Sequence, residues 1–342
     1  MKPYCVAIAG TAKNTGKTTT MATLLAEVQN IPSLTIGLTS IGYDGENFDN
    51  ITGLPKPRIH LWQGCIVAVA EKCIARPTGE SAHIKPLIHT DVVTPMGRII
   101  VGKVAHDGKL VLAGPVGSNG LRTVLDAFTS LGVRLAIVDG ALSRIAPMSE
   151  ANGIVVAQGA AKNTDIPTLS LESKCLIDIL STPTLHPAGR CATISSILSD
   201  ESYPALAKAW VCADTIQVNG VIAEAHLTRL AKEATAVFGK RLIFADSTKL
   251  LISGDAERTH TALQKLRGSG MLIGTAKPIN PLAITVNPFY PKLRHNRHSY
   301  EPAYIDHEAL LCGISSLTHI PCFNVSQHGG RELGSIILGE IT

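Results

Sequence analysis

The most constraining stretch of this chain is Gly10-Thr11-Ala12-Lys13-Asn14-Thr15-Gly16-Lys17-Thr18, set between an apolar run and an amphipathic pattern. The run before it, Tyr4 to Ala9, reads as a short buried strand. After it, Met21, Leu24, Leu25 and Val28 recur at i, i+3, i+4 and i+7, which is one face of a helix, and Leu34 to Thr39 reads as the next strand. Strand, glycine loop, helix, strand is a βαβ unit. A glycine loop at that junction can turn its backbone N–H groups, and those of the helix N-terminus, around phosphate oxygens. Lys17 would neutralise the β and γ oxygens, the Thr18 hydroxyl would complete a Mg²⁺ shell, and a Cβ at Gly16 would block the close approach of phosphate. Gly10, Thr11, Lys13, Asn14, Thr15, Gly16, Lys17, Thr18 and Thr19 are therefore the candidate nucleotide-binding residues.

Composition agrees with such a unit inside a larger α/β protein. The 342 residues are 45% hydrophobic and 17% charged, which excludes a disordered chain. Aromatics are only 4%, so the core must be built from Ala, Val, Ile and Leu, as in parallel strands buried on both faces. A net charge of +4 over this length is too weak for a nucleic-acid footprint. The one dense basic stretch, Lys292-Leu-Arg-His-Asn-Arg-His298, reads as a solvated loop. No segment offers the ~18 apolar residues needed to cross a bilayer, so no membrane partner is expected. Nothing near Met1 resembles a signal peptide, and the eight cysteines show no C-x-x-C pair. Reduced core thiols and a cytoplasmic location are expected.

Along the chain, the pattern predicts a helix over Ile66 to Ala75 and strands at Asp91–Thr94, Arg98–Val104 and Leu110–Ala113, with a hairpin turn at His106-Asp-Gly-Lys109. This is an antiparallel excursion near residues 90–113 in an otherwise parallel sheet. A helix at Leu121 to Ser130 and strands at Leu135–Val138 and Gly153–Ala157 resume the parallel pattern. Strands at Thr168–Leu171, Thr215–Ile222, Arg241–Phe244 and Leu282–Val286 then alternate with helices at Tyr203–Ala209, His226–Phe238 and His260–Leu266. The expectation is a doubly wound, mostly parallel α/β fold. Residues 1–165 would form the nucleotide-binding domain and 166–342 a second α/β part, either separate from the first sheet or continuous with it.

Several polar residues join the glycine loop as candidates. Leu135-Ala-Ile-Val-Asp139 is an apolar strand ending in a carboxylate that could hold the water shell of Mg²⁺. Asp44 and Glu46 follow the second strand, where an acidic group could meet the metal or the nucleophile; an ordinary acidic turn explains them equally well. Lys17, Asp44 and Asp139 are the candidate catalytic residues, and Thr18, Asp44 and Asp139 the candidate metal contacts. Lys162-Asn-Thr-Asp165 superficially resembles a guanine-reading motif, but its Lys-to-Asp spacing is one residue too long, which favours ATP over GTP. Asn219 and Asn287 end apolar strands and suit either base contacts or turn initiation. The histidines form no zinc pattern, and Cys312 and Cys322 read as inert core thiols.

The loop departs from the common P-loop, since Gly10 and Gly16 enclose five residues rather than four and Thr11 stands where a glycine is usual. In this it resembles dethiobiotin synthetase and the P-loop class that includes molybdenum-cofactor GTPases. A wider likeness covers Gly37 to Glu46, Lys56-Pro-Arg-Ile, Val138-Asp-Gly-Ala-Leu-Ser-Arg144, Gln158-Gly-Ala-Ala161 and Val286-Asn-Pro288. These stretches resemble the P-loop component of lysine 5,6-aminomutase reactivase, a family that works with a second, MutS-like ATPase. That resemblance implies a chaperone-like ATPase that uses ATP and Mg²⁺ to release damaged cofactor from an adenosylcobalamin-dependent aminomutase of amino-acid fermentation. The rival expectation is a dethiobiotin-synthetase-like metabolic enzyme, with Lys13 and Arg144 supplying a basic substrate pocket. A regulatory module that binds nucleotide without hydrolysing it is the third.

Overall fold

The computed structural model describes residues 1–43, 59–74, 80–195, 197, 199–233, 237–252, 255–294, 300–328 and 330–341. The chain opens with β1 (Tyr4–Gly10), α1 (Lys17–Val28) and β2 (Ile36–Ser40). Met21, Leu24, Leu25 and Val28 of α1 are all buried, as their spacing requires. Next come β3 (Ile59–Leu61), β4 (Ile66–Ala70), the single turn α2 (Glu71–Ile74), β5 (His83–Thr94), β6 (Gly97–His106) and β7 (Gly108–Leu110). Then follow α3 (Ser118–Ser130), β8 (Leu135–Ala141), β9 (Gly153–Gly159) and α4 (Ile166–Leu180).

A second compact unit, Ser170–Pro281, starts within α4. It holds β10 (Cys191–Ile194), α5 (Tyr203–Cys212), β11 (Thr215–Val218), α6 (Glu224–Glu233), β12 (Arg241–Phe244), α7 (Ala256–Gly268) and β13 (Leu272–Thr275). Its four strands lie in sequence order and pair in parallel. A core of its own, including Leu206, Trp210, Ile216, Leu227, Phe244 and Leu263, fills this unit.

From Leu282 the chain belongs again to the first unit, which comprises Met1–Leu169 and Leu282–Thr342. This last part contains β14 (Asn280–Asn287), β15 (Phe289–Leu293), β16 (Tyr300–Tyr304), α8 (His307–Leu317), β17 (Cys322–Phe323), α9 (Val325–His328) and α10 (Arg331–Gly339). The first unit is built on a nine-stranded sheet in the order β17-β14-β9-β1-β8-β2-β4-β6-β5. Pairing is parallel for β14 with β17, for β1 with both β8 and β9, and for β2 with both β8 and β4. It turns antiparallel where β6 joins β4 and β5. The protein is thus α/β with a large, mostly parallel sheet and an antiparallel margin.

The division of the chain differs from a single cut near 165. Residues 170–281 form an insertion with a separate sheet, and the final sixty or so residues complete the first one. Local assignments shift too. Of the expected helix at 66–75, the described residues 66–74 form strand β4 followed by one helical turn. Thr168–Leu171 lies in α4 rather than in a strand. The turn of the β5–β6 hairpin falls at Thr94–Gly97, where Gly97 has φ 101°, while β7 pairs with β3 instead of continuing the hairpin.

α1 packs against α9 and α10. A Cβ on Gly330 would stand 2.7 Å from the Thr23 methyl, so the close approach of α10's N-terminus to α1 depends on that glycine. Among the described residues no helix is long and apolar enough to cross a membrane.

Candidate functional site

β1 lies between β9 and β8, with Ile8 level with Asp139 and Gly10 level with Ala141. That register carries the Gly10–Gly16 loop and the Asp139 carboxylate to the same end of the sheet. The two meet: Lys17 Nζ lies 3.1 Å from Asp139 Oδ1, with the side chains only 13% and 11% exposed. Partial burial raises the strength of such a pair above that of a surface ion pair. The main chain of Asp139 is also tied in, its carbonyl accepting from Ile41 N–H at 2.7 Å.

The loop is held in a bent form. Asn14 has φ 62° and Gly16, the residue capping α1, has φ 92°, both in the left-handed region. Gly16 has no side chain to cap the helix, and no acidic residue occupies the first turn of α1. A helix end of this kind carries partial positive charge and suits an anion. Thr11 N–H donates to Ala157 O at 3.0 Å, and the Thr11 hydroxyl bonds Gln158 Oε1. Thr15 is buried, its hydroxyl donating to Ala12 O at 3.0 Å, and a Cβ on Gly10 would press on that hydroxyl at 3.2 Å. Thr18 is half-buried, whereas Ala12, Lys13 and Thr19 are exposed along the rim.

Two polar residues outside the motif brace this loop. Gln158, fully buried at the end of β9, holds Thr11. Asn287, at the end of β14, donates from Nδ2 to Asn14 O at 3.0 Å. Just before it on β14, Thr285 shares a buried 2.7 Å hydroxyl–hydroxyl bond with Thr20 in the first turn of α1. From sequence, Asn287 was a strand-end amide with two explanations, and Gln158 was no candidate at all. The available signal was a polar residue closing an otherwise apolar strand.

Other candidates fall elsewhere. Asp44, with Glu46, lies outside the described residues, as do His295 and His298. Asp165 heads α4, its carboxylate accepting from Thr168 N–H and hydroxyl at 3.0 and 2.6 Å. Those bonds hold its carboxyl below the usual carboxylate range, and they give it a local helix-capping role rather than a base-reading one. Asn219 belongs to the second unit and is exposed. Arg144 turns its guanidinium onto the Gly42–Tyr43 backbone, with Nη1 3.5 Å from Tyr43 O. Cys312 is exposed and Cys322 half-buried, so neither is the fully buried thiol expected of them.

The donor set fits a magnesium–nucleotide. Among the described residues no cluster of three or more His, Cys, Asp or Glu could hold a metal. A cation here would be held by phosphate oxygens and water with Thr18 and Asp139, which suits the sparing protein ligation of Mg²⁺. Comparison with family models, curated proteins and solved structures gives no match to this chain.

Proposed function

We propose that this chain is a P-loop ATPase of doubly wound topology that binds Mg²⁺-ATP at the Gly10–Thr18 loop. The observation that carries this is the partly buried Lys17–Asp139 pair beside a bent, glycine-capped loop at the start of α1. Lys17 would exchange the Asp139 carboxylate for β- and γ-phosphate oxygens, so the ammonium passes from one anion to another without standing uncompensated. Asp139, thus released, and the Thr18 hydroxyl would take the metal side. Bound Mg²⁺ would offset the charge on the phosphate oxygens during hydrolysis. The amides at the start of α1 face the same anion.

Its biological use, on this proposal, is to serve a partner protein as the ATP-driven reactivating factor of an adenosylcobalamin-dependent aminomutase, together with a MutS-like companion ATPase. Support for that part is the resemblance at Gly37–Glu46, Val138–Arg144, Gln158–Ala161 and Val286–Pro288. A factor of this kind acts only if it binds the open and closed aminomutase with different affinity. The test is ATP turnover by the protein alone and after addition of a cobalamin aminomutase with its companion ATPase. Slow intrinsic turnover that rises with those proteins is expected. Fast turnover driven by a small carboxylate or amine, unchanged by the proteins, would instead establish the dethiobiotin-synthetase-like enzyme.

A further inference from the structure

Asn287 uses both side-chain polar groups and its backbone carbonyl to join three pieces of the chain around the loop. Its Nδ2 donates to Asn14 O at 3.0 Å, inside the loop where Asn14 holds φ 62°. Its Oδ1 accepts from Phe289 N–H at 3.2 Å, fixing the start of β15. Its backbone carbonyl accepts from Ala160 N–H at 2.9 Å, closing the end of β9. Its Cβ also bears directly on the loop, since a Cβ on Gly16 would stand 2.9 Å from it, and one on Gly159 would stand 3.1 Å away.

Asn enters the left-handed region more readily than other non-glycine residues, so the backbone turn at Asn14 is accessible, and what fixes its carbonyl in one place is the bond it accepts. The Asn287 amide anchors the Asn14 carbonyl, two residues before the Gly16 that opens α1. We infer that Asn287 is a positioning residue that locks the phosphate-binding conformation of the Gly10–Gly16 loop from β14, and that it acts on the phosphates rather than on the nucleobase. This inference rests on the nucleotide-binding reading above.

The test is calorimetric titration of wild type, Asn287→Ala and Asn287→Ser with Mg²⁺-ATP, Mg²⁺-GTP and Mg²⁺-tripolyphosphate, alongside thermal denaturation of each. Ala keeps the Cβ contact with Gly16. Ser keeps a short hydroxyl near Phe289 N–H but cannot reach Asn14 O, so it decides the matter if Ala fails to fold. Loss of one amide–carbonyl bond should weaken ATP and tripolyphosphate binding alike, by about three- to tenfold, and leave the ATP-to-GTP affinity ratio unchanged. A loss confined to ATP, with tripolyphosphate unaffected, would overturn the inference by making Asn287 a base contact. Unchanged affinity for all three would overturn it outright. If wild type binds none of them, the nucleotide-binding proposal itself fails and this inference falls with it.

Discussion

Replacing Lys17 by methionine removes a positive charge 3.1 Å from a carboxylate that is only 11% exposed. At 3.1 Å and an effective dielectric near 20, the gross attraction is about 5 kcal/mol. Desolvation of both groups cancels much of this in the intact pair, whereas removal of Lys17 leaves the Asp139 carboxylate less well compensated and costs up to about 3–5 kcal/mol. For a unit of this size that corresponds to a fall in melting temperature on the order of 10 °C. The double variant Lys17→Met/Asp139→Leu removes both charges and should recover most of the loss. Thermal denaturation of nucleotide-free protein, run as a double-mutant cycle, reads the coupling directly. If the two single changes simply add, or if Lys17→Met leaves the unfolding transition where it was, then the pair is not a coupled, partly buried unit and the reasoning fails.

Further outcomes follow from the same geometry. Gly16→Ala places a side chain at φ 92° and a Cβ 2.9 Å from that of Asn287, so it should lose Mg²⁺-ATP affinity at least tenfold in a titration while the far-UV spectrum is kept. Burial pushes the Cys65 thiol from 9.0 up to about 12, so its neutral form is favoured by folding. That stability is intact below pH 9 and is lost as pH rises towards 12, with a slope of at most about 1.4 kcal/mol per pH unit. Urea unfolding across that range should be flatter in Cys65→Ala. An aromatic disulfide reagent should modify Cys191, Cys212 and Cys312 quickly in the native protein, and reach Cys5, Cys65 and Cys175 only on unfolding.

What could be read from the sequence is what local spacing determines. The β1–loop–α1 unit was legible, and Lys17 and Asp139 each stood out, because a glycine loop and a carboxylate at apolar strand ends are short-range signals; the ion pair between the two side chains was not, since it depends on the register of β1 against β8. Ile66–Ala70 was misread because a strand buried at all five positions shows no alternation, and apolar runs of that length suit helix and strand equally. Asp165-Ile-Pro-Thr168 held a helix start, an Asp cap followed by Pro, that the polar–apolar alternation of Thr168-Leu-Ser-Leu171 obscured. His106–Lys109 looked like a hairpin turn, yet Gly108 packs so closely on the Ala82 backbone that a Cβ would lie 2.4 Å from its nitrogen, and the strand leaves to pair with β3. The return of Leu282–Thr342 lays β14 beside β9 in the first sheet, and the brace from Asn287 to Asn14 joins residues 273 positions apart. No local pattern encodes such a contact.

The central claim is that Lys17 meets nucleotide phosphate in this loop. Titration calorimetry of nucleotide-free protein with Mg²⁺-ATP, for wild type and Lys17→Ala at a temperature where both are folded, tests it most directly. Wild type should bind, prefer ATP to GTP, and lose at least about a hundredfold in affinity when the charge-assisted bonds of Lys17 are removed. Equal affinity in the two proteins would place the phosphates elsewhere and contradict the account.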